Sequence, residues 1–140
     1  MPNLLIEIIK QRPLIFDGAM GTMLMEAGQG SLKTPILLNQ DEPELVAAIH
    51  RQYYDAGADV VITNTFGGSP LKLSADGLEQ QMAELNRNAV KLTRQACPDG
   101  KFVAGDIGPS GKMLQPLGDV APEDMQEASG GPAISCCWRR

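Results

Sequence analysis

The sequence predicts an α/β protein whose strands run parallel, and three observations carry that expectation. Short apolar, β-branched runs recur along the chain, each ends in a polar exit bearing glycine, and stretches of helical periodicity separate them. Strands that alternate with helices need crossover connections, and such crossovers make the strands parallel neighbours.

The first element is a short amphipathic helix, because Leu4, Leu5, Ile8 and Ile9 fall on one side and Asn3 is suited to cap it. Glu7 interrupts the apolar stretch and the positive charges follow it, so Met1 to Arg12 is expected to be neither a signal peptide nor a membrane span. Leu14-Ile15-Phe16-Asp17-Gly18-Ala19-Met20-Gly21-Thr22 then has the pattern of a strand covered on both faces that delivers a carboxylate to a rim. Gly18 and Gly21 allow backbone conformations that a Cβ would resist, so a ligand or turn can come close to Asp17. From Met23 to Gln40 the glycines and Pro35 discourage regular structure, and Met20, Met23 and Met25 are expected to fill apolar gaps.

A helix should begin at Asp41, which with Glu44 has the spacing of a capping box, with Pro43 in its first turn, an apolar face of Leu45, Val46, Ile49 and Tyr53, and Gly57 ending it. His50, the single histidine, is expected to be a surface or packing residue. The second strand is Asp59-Val60-Val61-Ile62-Thr63-Asn64-Thr65-Phe66, which exits at Gly67-Gly68. Leu78 to Cys97 forms the next helix. Met82, Leu85, Ala89, Leu92 and Ala96 face inward, Glu84, Arg87, Lys91 and Arg94 face outward, and Pro98-Asp99-Gly100 closes the element. Phe102-Val103-Ala104-Gly105-Asp106 is the third strand, Ile107 to Gly111 its exit, and Pro122-Glu123-Asp124 opens a third helix containing Met125.

That pattern stops at Ala128. Residues 1–128 are one structural unit, and 129–140, Ser-Gly-Gly-Pro-Ala-Ile-Ser-Cys-Cys-Trp-Arg-Arg, have neither helical nor strand periodicity. They are expected to be a non-native or disordered tail that does not continue the third helix. If the serines use TCN codons and the arginines CGN, shifting the frame back by one base turns Ile134 to Arg139 into two apolar residues followed by Leu, Leu and Ala. A Leu-Leu-Ala run suits the missing helix, so a frameshift near Ala128 is the hypothesis. AGY serine codons in the coding DNA would remove it.

With 140 residues, 43% of them hydrophobic, one domain with a substantial core is expected. The formal net charge of -5 and the scattered basic residues give no run able to neutralise a row of phosphates, which argues against nucleic acid. Cys97, Cys136 and Cys137 form no spaced disulfide framework, so a reducing, cytoplasmic setting is the default.

Six blocks in order then resemble the homocysteine-binding domain of the homocysteine S-methyltransferases, most closely the N-terminal module of the cobalamin-dependent branch. They are Phe16-Asp17-Gly18-Ala19-Met20-Gly21-Thr22, Ala48 to Tyr53, Ala56 to Asp59, Thr63-Asn64-Thr65-Phe66-Gly67, Glu84 to Ala89 and Gly105-Asp106-Ile107-Gly108-Pro109. The resemblance implies that the chain is about three βα units, the N-terminal part, of a (β/α)8 barrel. It also implies that a zinc ion held by three cysteines binds the homocysteine thiolate for methyl transfer to give methionine. A zinc-bound thiol is deprotonated at neutral pH, which supplies the nucleophile. The family's cysteine segments, of Gly-x-Asn-Cys and Gly-Gly-Cys-Cys-Gly type, have no counterpart here, and Cys136-Cys137 lacks the flanking glycines. No metal ligand or catalytic residue is therefore assigned, and cobalamin or folate enters only if further modules exist.

The resemblance also implies a substrate pocket at Asp17, Gly18, Asn64, Thr65 and Phe66, with Asp17 accepting the substrate ammonium. Asp106 and Gly108 sit at the same rim without an assigned step. The first reading is a fragment of a zinc-dependent homocysteine S-methyltransferase, inactive alone and open to self-association through unpaired strand edges. The alternative is a non-catalytic α/β amino-acid-binding or assembly module. A phosphate-binding barrel ranks last, because no helix N-terminus offers the cradle such a site needs.

Overall fold

The computed structural model describes residues 4–29 and 33–130. Helix α1, Leu4–Ile9, opens the chain as expected, while Asn3, its expected cap, lies outside the described residues. The segment that follows runs extended beside β1, Val60–Ile62, and β1 pairs in parallel with β2, Phe102–Ala104, in the register Val60 to Phe102 and Ile62 to Ala104. Phe16 makes a parallel bridge to Val60 on the other edge of β1. The three segments are thus spatial neighbours in sequence order.

Only two of the three expected strands form a regular ladder. Ile15 and Asp17 bracket Val60 with backbone hydrogen bonds, but the next donor along β1, the Ile62 N–H, is taken at 2.9 Å by the Asp17 carboxylate instead of a backbone carbonyl. The side chain thereby ends the pairing that its own backbone began. The other two strands are also shorter than the apolar runs. At the exit, the Thr63 and Thr65 hydroxyls accept from the Asp106 N–H at 3.3 and 3.2 Å, so backbone groups there bond to side chains instead of a ladder.

The stretch Met23 to Gln40 is not irregular as the sequence suggested. Helix α2, Met20–Leu24, is followed by a single π-type turn at Met25–Gln29, then a 3₁₀ turn at Pro35–Leu37 and α3, Leu38–Asp41. Pro35 occupies the first position of its turn, where its missing N–H costs nothing. Packing decides the rest, because Leu24, Ile36 and Leu38 are buried and pin these turns to the core. Met20 and Met23 pack against the Leu24 cluster, whereas Met25 is exposed and fills no gap.

Helix α4, Pro43–Asp55, starts one residue later than the expected capping box would place it: Asp41 belongs to α3, Glu42 is the N-cap, and no side chain caps the helix. Gly57, with φ +108°, turns the chain out of α4, a conformation that favours glycine. A short helix α5, Pro70–Leu73, capped by the Ser69 hydroxyl, was not legible in the sequence. Helix α6, Met82–Ala96, buries Leu85, Ala89 and Ala96 as its periodicity requires. The last element, α7, Pro122–Gly130, contains Met125 and extends two residues past Ala128. Residues 131–140, with Cys136 and Cys137, lie outside the described residues.

Helices α4 and α6 pack on each other, and α4 packs against β1. Leu24, Leu38, Val46 and Ile49 form one cluster, and Ile36, Leu73 and Leu85 a second beside it. Leu85 of α6 is fully buried against Ile36 of the 3₁₀ turn and Leu73 of α5, so Leu85→Ala is expected to cost about 3 kcal/mol, the usual range for an unrelaxed leucine cavity. Equilibrium urea unfolding checks this.

β1 is buried on both faces, Val60 being 3% and Val61 0% exposed, whereas the first extended segment, contrary to the two-sided burial read from its apolar run, and β2 are less covered among the described residues. Ile15 and Phe16 are about half exposed, and a groove of roughly 300 Å³ runs along Leu5, Ile9, Leu14, Phe16 and Phe102. The two crossover helices α4 and α6 pack on each other, and among the described residues α1 borders the groove through Leu5 and Ile9.

Candidate functional site

The strand exits gather on one rim, and β1 is the spine of the arrangement. On one side Asp17 reaches across to Ile62; on the other Asp106 is tied through its N–H to Thr63 and Thr65. Asp17 is thereby anchored to the last residue of β1, and Asp106 to the exit that follows it. Asp17 Oδ1 is sealed from solvent and has no hydrogen-bond partner. Burial raises the Asp17 pKa, the Ile62 and Asp17 backbone N–H groups oppose it, and the charge of Asp106 adds to the rise. Burial likewise raises Asp106, against the stabilising Ile107 N–H. A buried acceptor without a donor is costly, and an incoming cation would satisfy it.

Gly18 is favoured by close packing and not by backbone freedom. Its φ is not positive, and neither is that of Gly21, which lies in α2 with nothing near a Cβ position. A Cβ at Gly18 would stand 3.1 Å from the Tyr53 hydroxyl, which donates to the Ala19 carbonyl at 3.2 Å. The glycine keeps room between the Asp17 turn and α4.

Asn64 and Thr65 are both buried and spend their polar groups on the protein itself. Asn64 Nδ2 donates to the Pro35 carbonyl at 2.9 Å, and its own carbonyl accepts from Asn39 at 3.1 Å. The Thr65 hydroxyl donates to the Asp106 carbonyl at 2.8 Å and pairs with the Thr63 hydroxyl. They hold the exit in shape. Phe66 is 58% exposed and available for contact. Asn64 and Phe66 line a cleft of roughly 240 Å³ with Lys33, Lys72, Leu73 and Asp76, whereas Thr63 and Thr65 turn toward Asp106. Asp17 and Gly18 are not among the residues lining that cleft. Alternation along Thr63 to Phe66 was a signal in the sequence for two differently used faces, but nothing marked Lys33 or Lys72.

His50 is fully buried on α4, which removes the surface reading and keeps the packing one. Its Nε2 meets Thr93 Oγ1 of α6 at 3.1 Å, and the Thr93 hydroxyl is itself spent on the Ala89 carbonyl. Nε2 therefore carries the proton, and Nδ1 is left with a lone pair and no partner. Burial pushes the ring down to about 4.

At the opposite end of the strands, Asp59 accepts a two-pronged contact from Arg12 at 2.6 and 2.9 Å, the Ile15 N–H at 3.1 Å and Lys101 at 3.2 Å. These partners, Arg12 foremost, hold its carboxyl far below the usual range. It clasps the starts of all three extended segments, away from the exits.

Among the described residues no three of His, Cys, Asp and Glu lie close enough together to hold a metal. Cys97 follows the C-terminus of α6, its thiol donating to the Pro98 carbonyl, and His50 is sealed between two helices. Zinc therefore does not fit the described side chains.

The chain is a mixed α/β domain with its polar groups gathered at the strand exits, and comparison with known proteins names the family. Residues 14–130 match the homocysteine S-methyltransferase family, and the chain belongs to it. It is 34% identical over 136 residues to the methionine synthase of Mycobacterium leprae, covering 89% of this chain and 11% of that protein. The methionine synthase of Mycobacterium tuberculosis is 33% identical over 121 residues, covering 78% and 10%. The metallated crystal form of the homocysteine methyltransferase MmuM from Escherichia coli superposes with a TM-score of 0.73 at 26% identity, over 96% of this chain and 53% of that one. The chain thus spans about a tenth of the methionine synthases and about half of the Escherichia coli structure. None of the described helices is long and apolar enough to cross a membrane.

Proposed function

We propose that this chain carries part of a homocysteine-binding pocket, within the N-terminal half of a (β/α)8 methyltransferase barrel, and that it does not turn over by itself. Family membership and the match to one half of a homocysteine methyltransferase support the placement. The observation that carries the pocket is Asp17, whose Oδ2 is fixed by the Ile62 N–H while its buried Oδ1 awaits a donor.

In this reading the substrate ammonium donates to Asp17, and Asp106 adds negative charge across the end of β1. Gly18 keeps the turn open, Asn64 and Thr65 hold the exit rigid, and Phe66 lies against the substrate's carbon chain. The chain binds and orients; activation of the thiol and delivery of the methyl group fall to residues outside the described set. A cytoplasmic setting accords with a free thiol substrate.

Calorimetric titration of the chain with homocysteine tests the reading, and measurable binding without added metal is expected. Asp17→Asn should weaken it about tenfold or more, the worth of one charge-assisted hydrogen bond. Methionine formation by the purified chain with stoichiometric zinc would overturn the claim that it is inactive alone.

A further inference from the structure

The turn that follows Asp17 is fixed to β1 at its near end. The Asp17 N–H donates to the Val60 carbonyl at 3.0 Å, and Asp17 Oδ2 accepts the Ile62 N–H at 2.9 Å. Two residues on, Ala19 is the N-cap of α2, and no side chain caps that helix. Gly18 stands between them with no side chain to brace the turn. The placement of the Asp17 carboxylate therefore depends on what holds Ala19.

Tyr53 supplies that anchor from α4. Its hydroxyl donates to the Ala19 carbonyl at 3.2 Å, the same carbonyl that accepts the Met23 N–H at 3.4 Å as α2 begins. The hydroxyl end of the ring lies against Gly18, where a Cβ would stand 3.1 Å from Oη and 3.3 Å from Cε1. The ring itself packs on two apolar clusters, that of Leu24, Val46 and Ile49 and that of Tyr54, Ala58 and Val61. It thus ties the position of the core to the Asp17 turn. Burial, followed by the charges of Asp17 and Glu26, raises the pKa of the hydroxyl, which stays a protonated donor at neutral pH.

We infer that Tyr53 is a positioning residue for amino-acid binding, which sets where the Asp17 carboxylate stands by bracing the far end of the Asp17-Gly18-Ala19 turn, an assignment that rests on the ammonium reading above. A charge-assisted hydrogen bond needs its acceptor held closely in place, so a brace on the turn reaches the substrate through Asp17. The single hydroxyl hydrogen of Tyr53 is spent on Ala19, and the residue donates nothing to the substrate directly.

The test is calorimetric titration of the full chain with homocysteine, in wild type, Tyr53→Phe, Asp17→Asn and the variant carrying both substitutions. Phenylalanine keeps the ring and its packing on both clusters, so Tyr53→Phe should remain folded, and urea unfolding checks this. Tyr53→Phe is expected to weaken homocysteine binding about fivefold, as the loss of one neutral hydrogen bond provides. Asparagine keeps the shape of Asp17 without its charge. In that background Tyr53→Phe should change affinity by no more than about twofold, because the group it acts through is already gone. Wild-type affinity in Tyr53→Phe, or the same loss in both backgrounds, overturns the positioning role and leaves the Asp17 site standing. A wild-type chain that does not bind homocysteine, or binding that Asp17→Asn leaves unchanged, overturns the ammonium reading and the role of Tyr53 with it.

Discussion

Lowering the pH from 7 to 4 is expected to remove on the order of 3 kcal/mol of stability through His50 alone, given a ring held at about 4 in the fold and near 6.5 when exposed. The sign follows from proton counting. Between those two values the unfolded chain binds a proton that the folded chain refuses, so stability is full above about 6.5 and declines as pH falls toward 4. The structural cause is the Nδ1 lone pair, sealed between α4 and α6, where a proton would find no acceptor.

Other groups titrate in the same region, with mixed signs. Asp17 and Asp106 are raised by burial, so the folded chain holds their protons longer, and this opposes the His50 loss as the solution is acidified. Asp59, held far below its usual range, loses its contribution as pH falls through still more acid values. The clean measurement is the difference between wild type and His50→Gln in urea unfolding at several pH values. Glutamine can still reach Thr93 but does not titrate. A wild-type curve as flat as the variant's between 4 and 6.5 would show that water or an acceptor reaches Nδ1.

Gly108→Ala is expected to cost about 3 kcal/mol, at the upper end of overpacking penalties, and to weaken homocysteine binding together with stability. The added methyl would overlap the Phe66 carbonyl oxygen and ring, and the obstacle is largely backbone that cannot rotate away. Separating the two exits would also disturb the Thr63, Thr65 and Asp106 hydrogen bonds that shape the rim. Gly21→Ala is the control: nothing stands within 4 Å of its Cβ position, and it lies in α2, where alanine is the better helix former. Denaturation midpoints for the two variants should differ clearly. Equal midpoints would mean that the exits part without cost.

Much of the element order was legible because it rests on local rules. The periodicity of Met82 to Ala96 specified which face of α6 is buried, and Gly57 ended α4 through a backbone conformation that other residues avoid. Asp17 stood out as an acid at the end of an apolar run. Less was legible where a side chain competed with the backbone. The Asp17 carboxylate took the Ile62 N–H and cut the first strand to a single bridge, and no count of β-branched residues shows that.

The sequence by itself determined the family, the α/β alternation and the rim that holds Asp17, Asn64 and Asp106, since each depends on residue type at short spacing. Only the tertiary structure decided that Asn64 and Thr65 are committed to holding loops, that Gly18 answers to Tyr53, that His50 is buried, and that Lys33 and Lys72 meet at one cleft. Those outcomes depend on contacts between residues tens of positions apart, where packing and desolvation set whether a polar group faces a partner, a ligand or solvent. For Asp17 the two sources meet: the sequence put the acid at the strand end, and the fold left one of its oxygens buried without a donor.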